Sequence, residues 1–479
     1  MGTSIVHSVR LGFATNSSST HSLLLLRPGE KMVNKGVNRN EFGWDLFVAS
    51  TRRSREIYVA LIIMDALRNI VNEETARLIV KSLTGLEVAK GYIDHQSIYS
   101  LPMARDCQGL NLEFLREFQS FMTQKGLVIV GGNDNEESLS SFPSQGEILR
   151  LGMPKDSSSS PYFARKDSRG YWTMFNVATG AKVRFSWDGR AVKADKSDVP
   201  ELVDLKITSF CLHGCPWCYQ ASEAGGRHAD YTDLDLILRS LAEMGVFEIA
   251  IGGGEPTCHP KFWNLLRHIR TTLHMVPNFS TRSLDWLYVP EKAETVRKMC
   301  GGFAVSVSND STAIDHVVKV CMENRMPLEK LSIQYAIGTG FFQAEGVMRK
   351  CREHGLRCTL LGYKKVGRGQ DWKPQPDDWI GALKNLQNDS EGLPKIGIDT
   401  VLAESSREAL GEMNIAKESY EINEGKFSMY VDAVECTMGP SSYGDIRIPL
   451  PDRKKSHSYQ EAVSWLSLPK AMKTAFASW

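Results

Sequence analysis

Six times between about residues 203 and 365 the sequence switches from a short β-type run to a run with helical spacing. "VDLKIT" (203–208) reads as a strand, and a helical run over 232–244 precedes "VFEIAIGGGEP". "KFWNLLRHIRTTL" is helical and "MVPNFST" extended. A helix around 291–299 leads to "GFAVSVSND", a helix over 312–324 to "LEKLSIQYAIGTG", and a helix over 341–354 to "LRCTLLGYKKVGRG". Strands that alternate with helices pair in parallel, because each helix carries the chain back across the sheet. The pattern predicts an α/β core of partial (βα)6 TIM-barrel type. In such a sheet the loops at the C-terminal ends of the strands build the site. A three-cysteine loop follows the first strand and "IGGGEPTCHP" the second. "SVSND" ends the fourth, "IGTG" the fifth and "GYKKVGRG" the sixth. The unusual residues therefore fall on one face.

The flanks are less regular. "HSLLLL" after the Ser/Thr/Asn run near residue 16 reads as a short buried strand. Residues 56–82 carry helical spacing, a second helix spans 112–123, and "GLVIVGGNDNEES" (126–138) is a strand entering a turn. Asn133, Asp134, Asn135 and Glu136 lack the spacing of a calcium loop and read as that turn. Asp94 and His95 form one suggestive pair. "PKDSSSSPY" (154–162) is a linker, and the next stretch is a β-hairpin pattern. In the tail, "DDWIGALKNLQ" is helical, "KIGIDTVLA" and "EGKFSMYVDAVECT" extended, and "SYQEAVSWLSLPKAMKTAF" helical with a break at Pro469. The expected organisation is an α+β domain over 1–155, a hairpin lead-in over 156–200, the core barrel over 201–370 and a mixed extension over 371–479 that completes or caps it.

Lys plus Arg number 57 and Asp plus Glu 56, a net charge of +1 that gives no global pull toward nucleic acid or an anionic membrane. No apolar run is long enough to span a bilayer, and the N-terminus lacks the apolar stretch of a secretory signal. The ten cysteines are scattered apart from one group, which predicts a reducing cytoplasm and no disulfide framework.

That group is "SFCLHGCPWCYQ" (209–220), with Cys211, Cys215 and Cys218 in CxxxCxxC spacing. Three readings fit it. Structural zinc needs a fourth ligand; His213 lies inside the loop and no second knuckle follows. A thiol–disulfide pair suits "CPWC" but leaves Cys211 idle. An iron–sulfur cluster with one iron open to an outside ligand uses all three.

CxxxCxxC with an aromatic residue, Trp217, before the last cysteine, then Gly-Gly-Glu one strand–helix unit later, resembles the radical S-adenosylmethionine superfamily over about 203–365. The resemblance implies one 4Fe–4S cluster on Cys211, Cys215 and Cys218, whose missing ligand is the methionyl group of S-adenosylmethionine (SAM). It implies that Gly252, Gly253 and Gly254 approach the methionine part and that Glu255 partners its ammonium. It places ribose- or carboxylate-binding groups near Asn278, Ser280, Ser306 and Ser308, a contact at Gly338, and an adenine cradle at Leu361, Gly362 and Tyr363. Electron delivery by a flavodoxin or ferredoxin, and cleavage of SAM to a 5′-deoxyadenosyl radical that abstracts hydrogen, follow from the same resemblance. Cys258, Cys436, Tyr363 and Tyr430 are candidate hydrogen donors. Several members of that superfamily carry further clusters in a cysteine-rich C-terminal extension; since only Cys436 follows Cys358, a single cluster is expected here.

For the substrate, a peptide or protein side chain is the first expectation, motivated by the large N-terminal region and a strand edge able to take up a peptide. Lys364, Lys365 and Arg368, with "DRKK" (452–455), motivate a nucleoside or nucleic acid. A small metabolite is a third candidate, and a cluster-binding scaffold the non-enzymatic one.

Overall fold

The computed structural model describes residues 5–10, 22–25, 41–42, 47–67, 71–87, 92–93, 105–106, 109–110, 112–123, 127–131, 147–150, 162–186, 194–308, 312–340, 343–387, 395–412, 424–450 and 468–479. Residues 133–136, the Asp94–His95 pair, linker residues 154–161, "DRKK" and the run 458–467 lie outside them. The chain divides into two compact units, Met1–Val192 and Lys193–Trp479.

In the first unit, strands β1 (Ile5–Arg10), β2 (Ser22–Leu25), β3 (Glu41–Phe42) and β4 (Phe47–Ala49) precede helices α1 (Arg52–Leu67) and α2 (Glu73–Thr84). Asn72 separates the helices. Its side chain accepts from the Thr75 amide at 2.9 Å, capping α2, and Gly85 ends α2 in the left-handed region at φ 71°. The helical spacing over 56–82 is thus two helices. Then come β5 (Tyr92–Ile93), β6 (Arg105–Asp106), β7 (Gly109–Leu110), α3 (Leu112–Thr123), β8 (Leu127–Gly131), β9 (Glu147–Arg150) and an antiparallel meander of β10 (Tyr162–Lys166), β11 (Trp172–Asn176) and β12 (Lys182–Ser186). The meander joins a six-stranded sheet in the order β1-β12-β11-β10-β6-β7, and a second sheet runs β4-β8-β2-β9. Phe47, Tyr58, Ile62, Phe114 and Trp172 are among the residues of this unit's core.

In the second unit the six expected strands are β13 (Leu202–Thr208), β14 (Glu248–Gly253), β15 (Val276–Thr281), β16 (Phe303–Val307), β17 (Leu331–Ala336) and β18 (Arg357–Leu361). Helices α4 (Tyr231–Glu243), α5 (Phe262–Arg267), α6 (Pro290–Met299), α7 (Thr312–Glu323) and α8 (Ala344–Glu353) connect them. All six pair in parallel. The tail supplies α9 (Trp379–Gln387), β19 (Lys395–Ile398), α10 (Thr400–Ser405), α11 (Arg407–Glu412), β20 (Ser428–Asp432), β21 (Thr437–Gly439), β22 (Ile448–Pro449) and α12 (Leu468–Ser478). β19 adds in parallel beside β18 and β20 beside β13, while β21 and β22 continue antiparallel. The ten-stranded sheet is open rather than closed: a partial barrel.

Two tail expectations change. "TVLA" is helical, because Asp399 caps α10 by accepting from the Leu402 amide at 2.9 Å. "SMYVDAVECT" folds back at 433–436 instead of running straight. Pro469 lies in the first turn of α12, where it needs no amide partner, and the rest of that run, 458–467, lies outside the described residues.

Register in β13 follows from alternation. Val203, Leu205 and Ile207 are buried in the core, each side chain contributing about 1.5–3 kcal/mol. Asp204, Lys206 and Thr208 point to the other face. A one-residue slip would put two charges into the core. Lys206 instead meets Asp432, its partner in the β13–β20 register, at 2.9 Å in a pair only 10% exposed on each side.

Candidate functional site

The cysteine loop is closed at its base. The Ser209 amide donates to the Arg227 carbonyl at 2.8 Å, and the Cys211 amide to the Glu223 carbonyl at 2.9 Å. Gly226 packs so tightly there that a Cβ would lie 2.1 Å from the Ser209 carbonyl oxygen. Within the loop the Cys218 amide turns back onto the Cys215 carbonyl at 3.2 Å.

The glycine turn after β14 is tied to this loop. The Gly254 amide donates to the Thr208 carbonyl at 2.7 Å and the Glu255 amide to the Phe210 carbonyl at 2.8 Å. Two of the three glycines serve this contact. Gly253 has φ 124° and would place a Cβ 2.2 Å from the Thr208 oxygen; a Cβ on Gly254 would lie 2.1 Å from the Phe210 oxygen. Gly252 alone of the three faces open space, with nothing within 4 Å of a Cβ.

Glu255 is buried and ties together the strand ends. It accepts from Thr257 Oγ1 at 2.6 Å, Thr281 Oγ1 at 2.7 Å and the Arg282 amide at 2.9 Å, with His213 Nε2 at 3.5 Å. Burial alone would push its carboxyl up. Hydrogen bonds from His213, Thr257, the Arg282 amide and Thr281 outweigh that and hold it below the usual carboxylate range.

Cys211, Cys215 and Cys218 are half-buried free thiols. Burial raises the Cys211 thiol, the His213 amide opposes, and negative charge on Glu255, Cys215 and Cys218 raises it further. Three soft sulfur ligands on one loop are the donor set of a soft-metal or iron–sulfur site. Among the described residues no three His, Cys, Asp or Glu side chains converge as a ready metal cage. Cys215 has another partner: Arg282 Nη1 lies 2.7 Å from its Sγ, a contact it must share or yield to ligate a metal. The donor chemistry fits a cluster, and the Arg282 contact is one that Cys215 would have to give up to join it.

The segment after β18 braces the loop from outside. Arg368 donates through Nε to the Cys215 carbonyl at 3.0 Å, through Nη2 to the Ser222 carbonyl at 2.9 Å, and through its amide to the Cys218 carbonyl at 3.0 Å. Gly367, at φ 59°, comes so close to Tyr219 that a Cβ would lie 2.4 Å from its carbonyl oxygen. Trp372 meets Trp217 edge to face at 5.2 Å. Lys364 Nζ lies 4.8 Å from the Tyr219 ring centroid, 5.2 Å from that of Tyr443 and 3.7 Å from Asp399 Oδ2. Lys364 and Arg368 are thus internal struts and not a basic surface patch; Lys365 is exposed. Around Lys364, burial and neighbouring carboxylates push Glu424 up to about 7, with Lys364 itself opposing.

The other expected residues are dispersed. Ser308 is buried and accepts from Arg282 Nη2 at 2.7 Å. Ser280 and Ser306 are half-buried on their strands. Asn278 donates to Glu248 at 3.3 Å and accepts from the Gly302 amide at 2.9 Å, next to where β16 begins. Gly338, at φ 77°, pairs its carbonyl with the Gln375 amide at 2.9 Å. Leu361 ends β18 half-buried, the Gly362 amide donates to Asp399 at 2.8 Å, and Tyr363 donates to the Gly369 and Trp372 carbonyls. Cys258 is exposed; burial of its sulfur, then Glu255 and Cys211, raise its thiol. Cys436 sits in the β20–β21 turn at φ 52°, and Tyr430 donates to Asp432 at 3.4 Å. Arg282 has no counterpart in the sequence reading, and Arg368 enters there as a candidate nucleic-acid contact, whereas the structure commits it to the loop's carbonyls. Each is a basic residue just beyond a strand end.

Residues 205–362 match the family model of the radical SAM superfamily. The PqqA peptide cyclases of Rhodopseudomonas palustris and Bradyrhizobium diazoefficiens are each 32% identical over 77 residues, 16% of this chain. The match spans one fifth of those curated relatives' length. Streptococcus suis SuiB bound to its precursor peptide SuiA aligns at TM-score 0.41 with 17% identity, over 57% of this chain and 66% of that one. SuiB alone aligns at 0.43 with 12% identity, over 66% and 90%.

Proposed function

We propose, from the premise that residues 205–362 form a radical SAM domain, that this chain is an enzyme that uses SAM and a 4Fe–4S cluster to remove a hydrogen atom from a peptide or protein side chain. The observation that carries the reading is the hydrogen-bonded union of the cysteine loop with the glycine turn, at the C-terminal ends of two adjacent parallel strands. Cys211, Cys215 and Cys218 would hold the cluster. When bound, cluster and SAM together supply a carbon-centred radical able to take hydrogen from an unactivated C–H bond.

The chain's residues do the rest. The Gly254 and Glu255 amides hold the glycine turn against the loop. Gly252 leaves room for a ligand to approach the backbone. Glu255 fixes the ends of β14 and β15 relative to each other, and Arg368 with Trp372 braces the loop. A flavodoxin- or ferredoxin-type donor is the proposed electron source. A peptide substrate draws support from the local similarity to PqqA peptide cyclases. The inward commitment of Lys364 and Arg368 weighs against nucleic acid.

The test is anaerobic reconstitution with iron and sulfide. The full chain should take up about four irons and release 5′-deoxyadenosine with dithionite and SAM; Cys215→Ala should do neither. Incubation with a peptide pool should change the mass of a peptide, and incubation with nucleosides should not. Tight binding of one zinc ion, without 5′-deoxyadenosine release from the iron-loaded chain, would refute the reading.

A further inference from the structure

Arg282 follows β15 directly and is held at three points. Its amide donates to Glu255 Oε2 at 2.9 Å, Nη2 donates to Ser308 Oγ at 2.7 Å, and Nη1 meets Cys215 Sγ at 2.7 Å. Ser308 is buried at the end of β16, so the guanidinium is anchored on the side away from the cysteine. The nearby cations have other partners. Arg368 serves the carbonyls of Cys215 and Ser222, and Lys206 pairs with Asp432. Among the described residues, Arg282 is the cation whose charged end reaches a sulfur of the triad.

A strut alone would not need that contact. The amide bond to Glu255 and the Ser308 anchor already fix the end of β15, and a neutral donor would serve Ser308 equally well. What a guanidinium adds is charge. The potential of an iron–sulfur site follows its net charge and the hydrogen bonds to its sulfurs, and a fixed cation a few ångströms away acts strongly where solvent is partly excluded.

We propose that Arg282 sets the electron affinity of the three-cysteine site, its positive charge favouring the reduced form of the cluster held there. This inference rests on the proposed function. The step is a one-electron transfer from a low-potential donor, dithionite in the test. The site gains one negative charge, no proton moves, and no bond to the chain forms or breaks. Arg282 retains its Ser308 and Glu255 anchors while Cys215 exchanges the guanidinium for iron as its main partner.

The experiment is a redox titration of the reconstituted full chain without SAM, followed by electron paramagnetic resonance, with iron content measured in parallel. Arg282→Gln should lower the ratio of reduced to oxidised cluster at a fixed potential about tenfold, or ~59 mV for a one-electron couple. Arg282→Lys should recover most of that ratio, and Ser308→Ala, which frees the guanidinium, should shift it partway in the same direction. A fully loaded Arg282→Gln protein with an unchanged or higher ratio would overturn the inference. If Arg282→Gln fails to load iron, Ser308→Ala decides, and an unchanged ratio there overturns it. Failure of the native chain to load a cluster would instead strike at the proposed function itself.

Discussion

Gly254→Ala and Gly252→Ala are neighbouring substitutions with opposite expected outcomes. A Cβ on Gly254 would lie 2.1 Å from the Phe210 oxygen, 2.7 Å from its carbonyl carbon and 3.1 Å from Cys211 Cβ. The nearest obstacles are backbone, so the turn must lift away. Lifting breaks the Gly254–Thr208 and Glu255–Phe210 hydrogen bonds, at 2.7 and 2.8 Å. Each is worth about 1 kcal/mol net, and overpacking adds about 1–3 kcal/mol. The expected loss is about 3–5 kcal/mol, and at roughly 2 °C per kcal/mol for a large domain Tm should fall by about 6–10 °C. Iron loading should fall with it, because Cys211 adjoins the broken contact. Gly252→Ala meets nothing within 4 Å. Its Tm and iron content should match the native protein, whereas SAM affinity, measured by calorimetry on the loaded protein, should weaken. The assay is thermal unfolding and iron analysis on both variants side by side. Native-like stability and loading in Gly254→Ala would refute the claim that this glycine joins the two motifs.

Arg368→Ala removes two charge-assisted hydrogen bonds to carbonyls of the loop, together worth about 3 kcal/mol; chemical denaturation should show that loss and iron content should drop, with Arg368→Lys recovering less than half. Lys206→Met leaves Asp432 charged and buried, at a cost of about 3 kcal/mol, while adding Asp432→Asn, which can still accept from the Val434 and Glu435 amides, should restore more than half of the lost stability. Glu424 titrates at about 7 in the folded chain against an ordinary 4.5, so the folded state holds its proton more tightly than the unfolded state. Stability should therefore fall as pH rises from about 4.5 to about 7, by up to about 3 kcal/mol at 1.36 kcal/mol per unit. Glu424→Gln should be stabilising at pH 8 and neutral at pH 4 in urea unfolding, and an equal gain at both pH values would contradict this.

Local pattern was enough for the six-fold alternation of strands and helices and for the two motifs at strand ends, because periodicity and turn chemistry are short-range properties of the chain. Cys211, Cys215, Cys218 and the Gly252–Glu255 turn could be read for the same reason: their meaning lies in spacing along a few residues. The partners of these motifs were a different matter. Arg282 and Arg368 lie 67 and 153 residues from Cys215, and only the sheet order brings them to it. The tertiary structure also decided that β19 and β20 flank the core on opposite sides, and that Gly253 and Gly254 face the chain's own carbonyls while Gly252 faces open space. It turned Lys364 and Arg368 inward, where a sequence shows only charge. A side chain's partner is set by which strands lie side by side, and that follows from burying one face of every strand at once, a global condition that no local window contains.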